Sequence, residues 1–274
     1  MNTGARNRSD FQGCRWFLVL AWLLWLVTVA FDPSAVAEDA SSVVVRLANG
    51  EWPPYTGQHL PSQGCDSQVV VEAFALEGIQ VQYEFYPWAR GLLFSQNGVV
   101  DGAVEWAGTP AQQQTHFVSK GVLSQQQWVF FHRKDAPRVT WQRLDDLSGR
   151  TIGLTIGYAY SDVFTALRKQ QPAMFQEAAN DLLNFRKLLG GRIDFFPLER
   201  VVGYHLMHKE LAPEEQARLT AESKPLAEFT PHLLLSRAVP ENEQRMQLFD
   251  RGLDTLKANG RYREIMARCS FENP

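Results

Sequence analysis

The sequence predicts an α/β fold built as two lobes around a cleft. Strand-like and helix-like apolar runs alternate along most of the 274-residue chain, which is typical of parallel sheets covered by helices. The alternation stops at a polar, proline-containing run at 132–137 and starts again after it, and a second candidate crossing lies at 229–231. Two lobes joined by short crossings leave a cleft between them, which is a usual place for a ligand.

The first half of the chain alternates between predicted strands and helices. Val81, Tyr83 and Phe85 alternate with polar residues, which is the period of a half-buried strand. Asp66 is a suitable N-cap for the helix that follows it, because its side chain can accept a backbone N–H of the first turn. The elements expected here are strands at 43–47, 81–85, 99–104 and 127–132, and helices at 66–78 and 90–97.

The second half repeats this pattern. Ser161 and either Asn180 or Asp181 are suitable helix N-caps, and Gly190-Gly191 closes the second of these helices. Glu199 opens a further helix soon after a strand. The elements expected here are strands at 151–154, 193–196 and 232–235, helices that begin near 161, 180 and 199, and terminal helices at 244–257 and 262–267.

Composition argues against two classes of protein. Hydrophobic residues make up 45% of the chain and aromatic residues 12%, which supplies a real core and excludes a disordered chain. The 27 Lys and Arg residues face 30 Asp and Glu residues. This balance leaves no basic surplus for phosphates, so no nucleic-acid partner is expected.

The first 37 residues are predicted to be a secretory signal peptide. Three arginines precede an apolar run at 16–31, and Ala35-Val36-Ala37 follows it. A basic start, an apolar run and a small-residue exit are typical of such peptides. The alternative is an uncleaved anchor, but this run of about 16 residues is shorter than the roughly 20 that span a bilayer. We therefore expect cleavage near Ala37 and an exported protein with no stable membrane insertion.

Removal of the signal peptide leaves two cysteines, Cys65 and Cys269. Exported proteins meet an oxidising environment, where an even number of cysteines is a candidate disulfide framework. The alternative is two separate buried thiols, and the spacing of the cysteines leaves both arrangements open.

Several short motifs occur in a fixed order along the mature chain. They are Glu-Trp-Pro-Pro-Tyr at 51–55, Gly-Cys-Asp at 64–66, Gly-Val-Val-Asp-Gly-Ala at 98–103, the segment 144–158, Gly-Arg-Ile-Asp at 191–194, and terminal helices with Gly260 and Tyr262. In this order they resemble the family 3 periplasmic solute-binding proteins. These proteins are the receptors of polar amino-acid ABC transporters and their relatives.

The resemblance implies a two-lobed periplasmic-binding-protein fold of type II with a ligand cleft between the lobes. Lobe 1 would comprise 38–132 and 232–274, and lobe 2 would comprise 133–231. The implied protein is a periplasmic monomer that captures a small polar molecule and presents it to an ABC permease or a membrane sensor. It needs no cofactor and no metal. The terminal helices of the family fold back onto lobe 1, which would place Cys269 on the same lobe as Cys65.

One departure from the family concerns the ligand's carboxylate. Family members that bind α-amino acids usually carry an Arg after a Thr-x-x pattern, and this Arg holds the carboxylate. The corresponding stretch here begins at Thr109 and has Gln112 at that place. Thr109 is retained as a ligand-binding candidate and Gln112 as a further one. A glutamine supplies no positive charge, so this departure argues against a standard α-amino acid as the ligand. Glu105 and Glu199, one in each lobe, would together favour a ligand that bears a positive charge.

Besides Thr109 and Gln112, four candidate ligand-binding residues lie in lobe 1 on two strand ends. Trp52 and Tyr55 flank two prolines just after the first strand, where α/β proteins bind ligands, and the family places its ligand-covering aromatic at Trp52. The alternative is a rigid turn with packed aromatic rings. Glu105 and Trp106 follow the strand at 99–104 and match another ligand contact of the family. Their alternative is a solvated Glu beside a packed Trp.

Lobe 2 contributes further candidates. Thr155, Gly157 and Tyr158 form a strand-to-helix turn, whose backbone N–H groups can bind an anion. The alternative is a plain turn. Glu199 falls where the family often keeps an acid for the ligand's ammonium, although a helix-opening Glu can simply complement the helix dipole. In lobe 1, Arg90 within Trp88-Ala89-Arg90 is a further candidate, with a surface ion pair as its alternative.

Catalysis has no positive motif in this sequence. His205 and His208 have a spacing that can bind a metal, but no third ligand is near them in sequence. We therefore expect a binding protein and no enzyme. The alternative is a periplasmic enzyme on the same fold, similar to a cyclohexadienyl dehydratase, in which Glu199 would donate the proton.

Overall fold

The computed structural model describes Met1 and residues 43–137, 140–158, 160 and 162–269. The predicted signal peptide and its cleavage near Ala37 lie outside these residues, and so does Ser161 as a helix cap. Within the described ranges, no helix is long and apolar enough to cross a membrane.

The first sheet has five strands in the order β2-β1-β3-β11-β4. β1 runs parallel to both β2 and β3, whereas β11 is antiparallel to β3 and β4. The strands are β1 Val43–Asn49, β2 Ile79–Phe85, β3 Gly102–Trp106, β4 His116–Val118 and β11 His232–Ser236. The associated helices are α1 Cys65–Ala75, α2 Trp88–Gln96, α3 Pro110–Thr115, α8 Asn242–Ala258 and α9 Arg261–Ala267.

We call the first sheet with its helices the first half of the molecule, and the remaining elements the second half. The second half is built on an antiparallel sheet and a parallel strand pair. β5 Gln126–Arg133 pairs antiparallel with β8 Phe196–Glu199, β9 Leu219–Ala221 and β10 Ala227–Phe229. β6 Ile152–Thr155 runs parallel to β7 Phe175–Ala178. The helices are α4 Asp162–Gln170, α5 Asp181–Leu189, α6 Arg200–Glu210 and α7 Pro213–Gln216. Single 3₁₀ turns occupy Pro61–Gln63, Leu144–Leu147 and Pro172–Met174.

Strand β5 differs from the sequence-based expectation in a way that matters for the site. The predicted lobe boundary at 132 places this strand in lobe 1, but its hydrogen bonds run to strands of the second half. The chain therefore crosses between the two sheets before Gln126, not within the polar run at 132–137. The polar residues at 132–137 belong to a surface turn, and surface loops are ordinarily polar.

Other boundaries shift because local geometry overrides sequence pattern. The prediction of parallel sheets was wrong for the antiparallel sheet around β5. The strand expected at 193–196 instead begins at Phe196 and continues to Glu199, and the strand expected at 99–104 lies at Gly102–Trp106. By contrast, Asn180 caps its helix as predicted, with its side chain accepting from Leu183 N.

Asp66 is not the N-cap of helix α1 as predicted. Gly64 occupies that position with a φ of 100°, and a Cβ there would lie 2.3 Å from the Tyr55 carbonyl oxygen. Only glycine fits such a close approach in this backbone region. Asp66 therefore moves into the first turn of the helix, where it is fully buried.

Each half has its own core, Tyr55 of the loop after β1 joins the core of the second half, and a disulfide fastens the first half. Phe74 of α1 packs on Phe249 of α8 beneath the first sheet, whereas Phe131, Phe185 and Phe196 pack together in the second half. Cys65 at the start of α1 is bonded to Cys269 after α9, with 6.2 Å between their Cα atoms. This is the pairing that the sequence left open, and it holds the chain terminus on the first half.

Candidate functional site

The site begins at one edge of the first sheet. β1 and β3 are parallel neighbours, so the loops that follow them meet at the same edge. Trp52 and Tyr55 lie in the loop after β1, which is closed by a hydrogen bond from Trp52 N to Thr56 O of 2.9 Å. Glu105 lies near the end of β3. The first half therefore brings three of the predicted residues to one edge.

Hydrogen bonds join this edge to the second half. The Trp52 indole Nε1 donates to Gln126 Oε1 of β5 at 3.3 Å. The Tyr55 hydroxyl, whose residue is 3% exposed, donates to Glu199 Oε1 at 3.4 Å. The predicted residues Trp52, Tyr55 and Glu199 thus take part in direct contacts between the two sheets.

Four aromatic rings cover this junction, and we call them the aromatic cluster: Trp52, Trp128, Tyr158 and Tyr160. Trp52 stacks on Trp128 of β5 with 6.0 Å between ring centroids. Tyr158 lies edge-on to both indoles, at 5.7 and 6.3 Å, and Tyr160 lies edge-on to Trp128 at 6.1 Å. Offset and edge-on arrangements are the favoured geometries of aromatic pairs. Flat π faces of this kind attract cations as well as apolar groups.

Two acids of the first half form a buried carboxyl pair, Asp66 and Glu105. Ser124 Oγ donates to Asp66 Oδ2 at 2.6 Å, and Gln126 Nε2 donates to Glu105 Oε2 at 3.1 Å. The remaining oxygens, Asp66 Oδ1 and Glu105 Oε1, receive no donor from the described residues. Each carboxyl acts on the pKa of the other, and a hydrogen bond between two carboxyls requires a proton on one of them.

Burial raises the pKa of both members of this pair, and the neighbouring Asp66 raises that of Glu105 further. Glu105 also has a φ of 67°, a left-handed conformation that is uncommon for a residue with a side chain. It is only 7% exposed, so the alternative of a solvated Glu105 was wrong. Backbone strain of this kind persists only where the surrounding structure enforces it, and it often accompanies functional sites.

Glu199 is the acid that the second half contributes. It is the N-cap of α6 as predicted, because its Oε2 accepts from Val202 N at 2.8 Å. Its Oε1 accepts from Gln127 N at 3.2 Å as well as from Tyr55. Burial raises the pKa of Glu199 to about 7 despite these donors. Burial and the nearby Glu199 carboxyl together raise the pKa of Tyr55, which keeps its hydroxyl protonated.

Thr155 and Tyr158 are tied to a different acid. Their hydroxyls donate to the two oxygens of Asp181, each at 2.6 Å. Asp181 lies in the first turn of α5, where a negative charge is favoured by the helix dipole. Burial nevertheless raises its pKa. Asp181 therefore holds Tyr158 in the aromatic cluster.

The other predicted residues are held in local arrangements. Trp106 packs edge-on against Trp88 at 6.1 Å. Thr109 and Gln112 bond each other in a capping box at the start of α3, which occupies both side chains. Gly157 has a φ of 87° with open space around it, and Arg90 is exposed on α2.

Sequence reasoning missed Gln126, Trp128 and Asp181, and it assigned Asp66 a capping role only. Trp128 lies in a correctly predicted strand. A Trp in the strand that leads to the predicted crossing at 132–137 was a usable signal. Gln126 was hidden by the misplaced crossing. Nothing in the local sequence distinguishes Asp181 from an ordinary residue of a first helical turn.

The site carries negative groups without basic partners. Among the described residues, no Lys or Arg side chain donates to Asp66, Glu105 or Glu199. In the same part of the chain, no three His, Cys, Asp or Glu residues are placed to hold a metal ion. Three acids beside an aromatic surface are suited to a positively charged organic group.

Solved structures share this fold at low sequence identity. A histidine kinase sensor domain with similarity to periplasmic binding proteins is 17% identical, with a TM-score of 0.63, over 83% of this chain and 96% of that one. The GluR0 ligand-binding core from Nostoc punctiforme, solved with L-glutamate, is 15% identical with a TM-score of 0.61, over 82% and 98%. A mutant of ArgBP from T. maritima is 16% identical with a TM-score of 0.62, over 85% and 97%.

These similarities establish the fold class, which is the two-lobed fold of periplasmic binding proteins, as the sequence predicted. No family model matches the chain, and no curated protein matches it in sequence.

Proposed function

We propose that the chain is a solute-binding protein that captures a small, polar, amine-bearing molecule between its two sheets. The observation that carries this proposal is the group of three buried carboxyls, Asp66, Glu105 and Glu199, to which no basic side chain of the described residues donates. Burial of uncompensated carboxylates is costly. A ligand that brings a positive charge offsets that cost, whereas an anion increases it.

The aromatic cluster supports the same ligand class. Trp52 contributes from the first half and Trp128 and Tyr158 from the second, so a molecule between the sheets would meet rings from both sides. Closure of two lobes on a ligand is a common conformational change in this fold. The carboxylate-binding Arg of the resembling family is replaced by Gln112, which caps α3. The proposed ligand therefore needs no carboxylate.

We propose lobes that follow the sheets: the first carries β1 to β4 and β11, and the second runs from Gln126 to Phe229. The protein is proposed to act as a monomer outside the cytoplasm, after loss of residues 1–37. An ABC permease or a membrane sensor is the proposed partner, and it would recognise the closed form. ABC-transporter binding proteins and a sensor domain both share the fold.

An enzyme remains the second candidate because of Glu199. Its pKa of about 7 suits a general acid near neutral pH, and the Tyr55 hydroxyl beside it is a second proton donor. This candidate requires turnover of a bound molecule.

A thermal-shift screen tests the proposal. The mature protein is screened against α-amino acids, polyamines such as 1,4-diaminobutane, and small organic acids. An amine at 100 times its Kd adds roughly 2.7 kcal/mol to the free energy of unfolding. Each compound that stabilises the protein is then studied by calorimetry with product analysis. Binding without turnover supports a binding protein, turnover supports the enzyme, and stabilisation by organic acids alone contradicts the amine class.

A further inference from the structure

We propose that the Asp66–Glu105 carboxyl pair is a proton-exchange site, in which one shared proton occupies the place that the ligand's positive group takes on binding. This inference rests on the proposed function, because it names how the same site accommodates a cation. It concerns the two acids that lie behind Trp52 and Gln126, and it adds a chemical step that a simple acidic cleft does not have.

The supply of hydrogen-bond donors to the pair favours a shared proton. Each carboxyl receives donors on one oxygen only, from Ser124 on Asp66 and from Gln126 on Glu105. Asp66 Oδ1 and Glu105 Oε1 are buried without a donor. A buried carboxylate oxygen without a partner is costly, and two adjacent carboxylates cannot both stay ionised cheaply. One shared proton relieves both costs.

The position of each acid relative to a helix N-terminus decides which of the two carries the proton. Asp66 lies in the first turn of α1, where the helix dipole stabilises a negative charge. Glu105 has no such helix end, and its neighbour Asp66 favours its protonated form. Glu105 therefore donates to Asp66. Both residues are buried, Glu105 at 7% exposure and Asp66 completely, so the shared proton is shielded from solvent.

The titratable groups around the pair also favour a retained proton. The neighbouring titratable groups come from the loop after β1, from β2, from α9 and from the start of α6. These groups are hydroxyls and a carboxyl: Tyr55, Tyr83, Tyr262 and Glu199. Lys257 of α8 is a basic group beside them, but its Nζ lies over the Tyr262 ring at 5.3 Å and donates to Val122 O at 3.1 Å, so its hydrogen bond goes to neither carboxyl.

The exchange balances in protons and charge. An alkylammonium group enters beside the neutral Glu105 carboxyl and the Asp66 carboxylate, and Glu105 releases its proton to water. The ammonium then donates to both carboxylates, and no covalent bond to the ligand is made or broken. The pair changes its net charge from −1 to −2 as the ligand brings +1, in line with the linkage between proton and ligand binding.

Linked proton release has a measurable consequence. Amines stay protonated between pH 5 and pH 8, so their own charge is constant there. Where the pair is protonated, the release of one proton raises amine affinity about ten-fold for each pH unit of increase. Affinity that is independent of pH would contradict the exchange.

The experiment has two arms and uses the mature wild-type protein. In the first arm, carboxyl-carbon NMR follows Asp66 and Glu105 from pH 4 to pH 9 without added amine. We expect one of the two titrations to lie well above the ordinary range for acids. If both carboxyls titrate in that ordinary range, there is no shared proton and the proposal fails.

In the second arm, calorimetry measures binding of methylamine, 1,4-diaminobutane and 2-phenylethylamine in buffers that differ in ionisation enthalpy. We expect about one proton to be released by the pair for each amine bound. Glu105→Gln and Asp66→Asn should each abolish this release, and two variants guard against one that fails to fold. Glu84→Gln, in a surface ion pair of the first half, is the matched control and should retain the release.

The outcomes separate the two proposals. Amine binding without proton release overturns the exchange and leaves the proposed function in place. Release that persists in both Glu105→Gln and Asp66→Asn also overturns it. If none of the three amines binds, the proposed ligand class fails and the exchange fails with it.

Discussion

Asp181 in the second half and the Asp66–Glu105 pair in the first are both enclosed acidic sites, but their donors differ. Both oxygens of Asp181 accept hydroxyl hydrogens, from Thr155 and Tyr158. In the pair, two of the four oxygens have no donor among the residues that the structure describes. Asp181 can therefore remain ionised and hold its neighbours, whereas the pair needs a proton or another positive group.

Burial of an acid does not by itself mark a binding site. Asp181 is satisfied within its own half and acts as a support for Tyr158. The carboxyl pair is unsatisfied and lies where Gln126 brings the second half against the first. The unsatisfied oxygens, more than the charge, single out the first-half acids as the ligand-responsive group.

The largest expected effect comes from the disulfide that fixes the helix carrying Asp66. Cys65 and Cys269 close a loop with a sequence separation of 204. Reduction should lower the free energy of unfolding by about 5 kcal/mol in the chain-entropy model. Thermal unfolding with and without reductant measures this effect. Equal stability in both conditions, or two free thiols in the denatured, unreduced protein, would contradict it.

The next effect concerns Glu199, whose pKa rises from 4.5 to about 7 on folding. Between these pH values the folded protein keeps a proton that the unfolded chain has lost. The stability from this group is therefore complete below pH 4.5 and declines as pH rises to about 7, by roughly 3 kcal/mol in total. Urea unfolding from pH 4.5 to pH 7.5 should show a weaker decline in Glu199→Gln. An unchanged decline would mean that Glu199 is ionised throughout.

Trp52→Ala should weaken binding of any amine found in the screen by about 1–3 kcal/mol, as loss of a buried aromatic anchor does. Trp52→Phe keeps a ring but loses the hydrogen bond to Gln126, so it should have a smaller effect. Calorimetry on both folded variants gives the comparison. An unchanged Kd for Trp52→Ala would show that this ring only packs the loop.

The smallest effect is expected at the satisfied acid. Tyr158→Phe removes one of the two hydroxyl donors of Asp181 and should cost about 1 kcal/mol of stability. It should leave any proton release on amine binding unchanged, because the carboxyl pair is not touched. A loss of proton release in Tyr158→Phe would erase the distinction between the two acidic sites.

The sequence predicted most of the secondary structure and half of the site. Trp52, Tyr55, Glu105, Tyr158 and Glu199 were predicted because residues after strands and at helix starts converge in α/β folds. The structure brings them to the junction of the two sheets, and their contact with a ligand stays a prediction. Asp66 was misjudged because a positive φ at Gly64 cannot be seen in sequence. This φ decides that Gly64, and not Asp66, is the N-cap of helix α1.

The contacts across the two sheets were the least predictable part. Gln126 and Trp128 lie on strand β5. The position of this strand along the chain was predicted correctly, but the sheet to which it belongs was not. Sheet membership depends on long-range pairing, and alternation of polar and apolar residues reports only the local period. The unsatisfied oxygens of Asp66 and Glu105 likewise arise from the packing of distant segments.

The central claim is that the junction between the two sheets binds a positively charged small molecule. The most direct test is a thermal-shift screen in which each amine is paired with the neutral alcohol of the same carbon skeleton, such as 1,4-diaminobutane with 1,4-butanediol. We predict that stabilisation occurs with amines, is absent with the paired alcohols and is reduced in Glu199→Gln. Equal stabilisation by amine and alcohol, or stabilisation by anionic acids alone, would contradict the account.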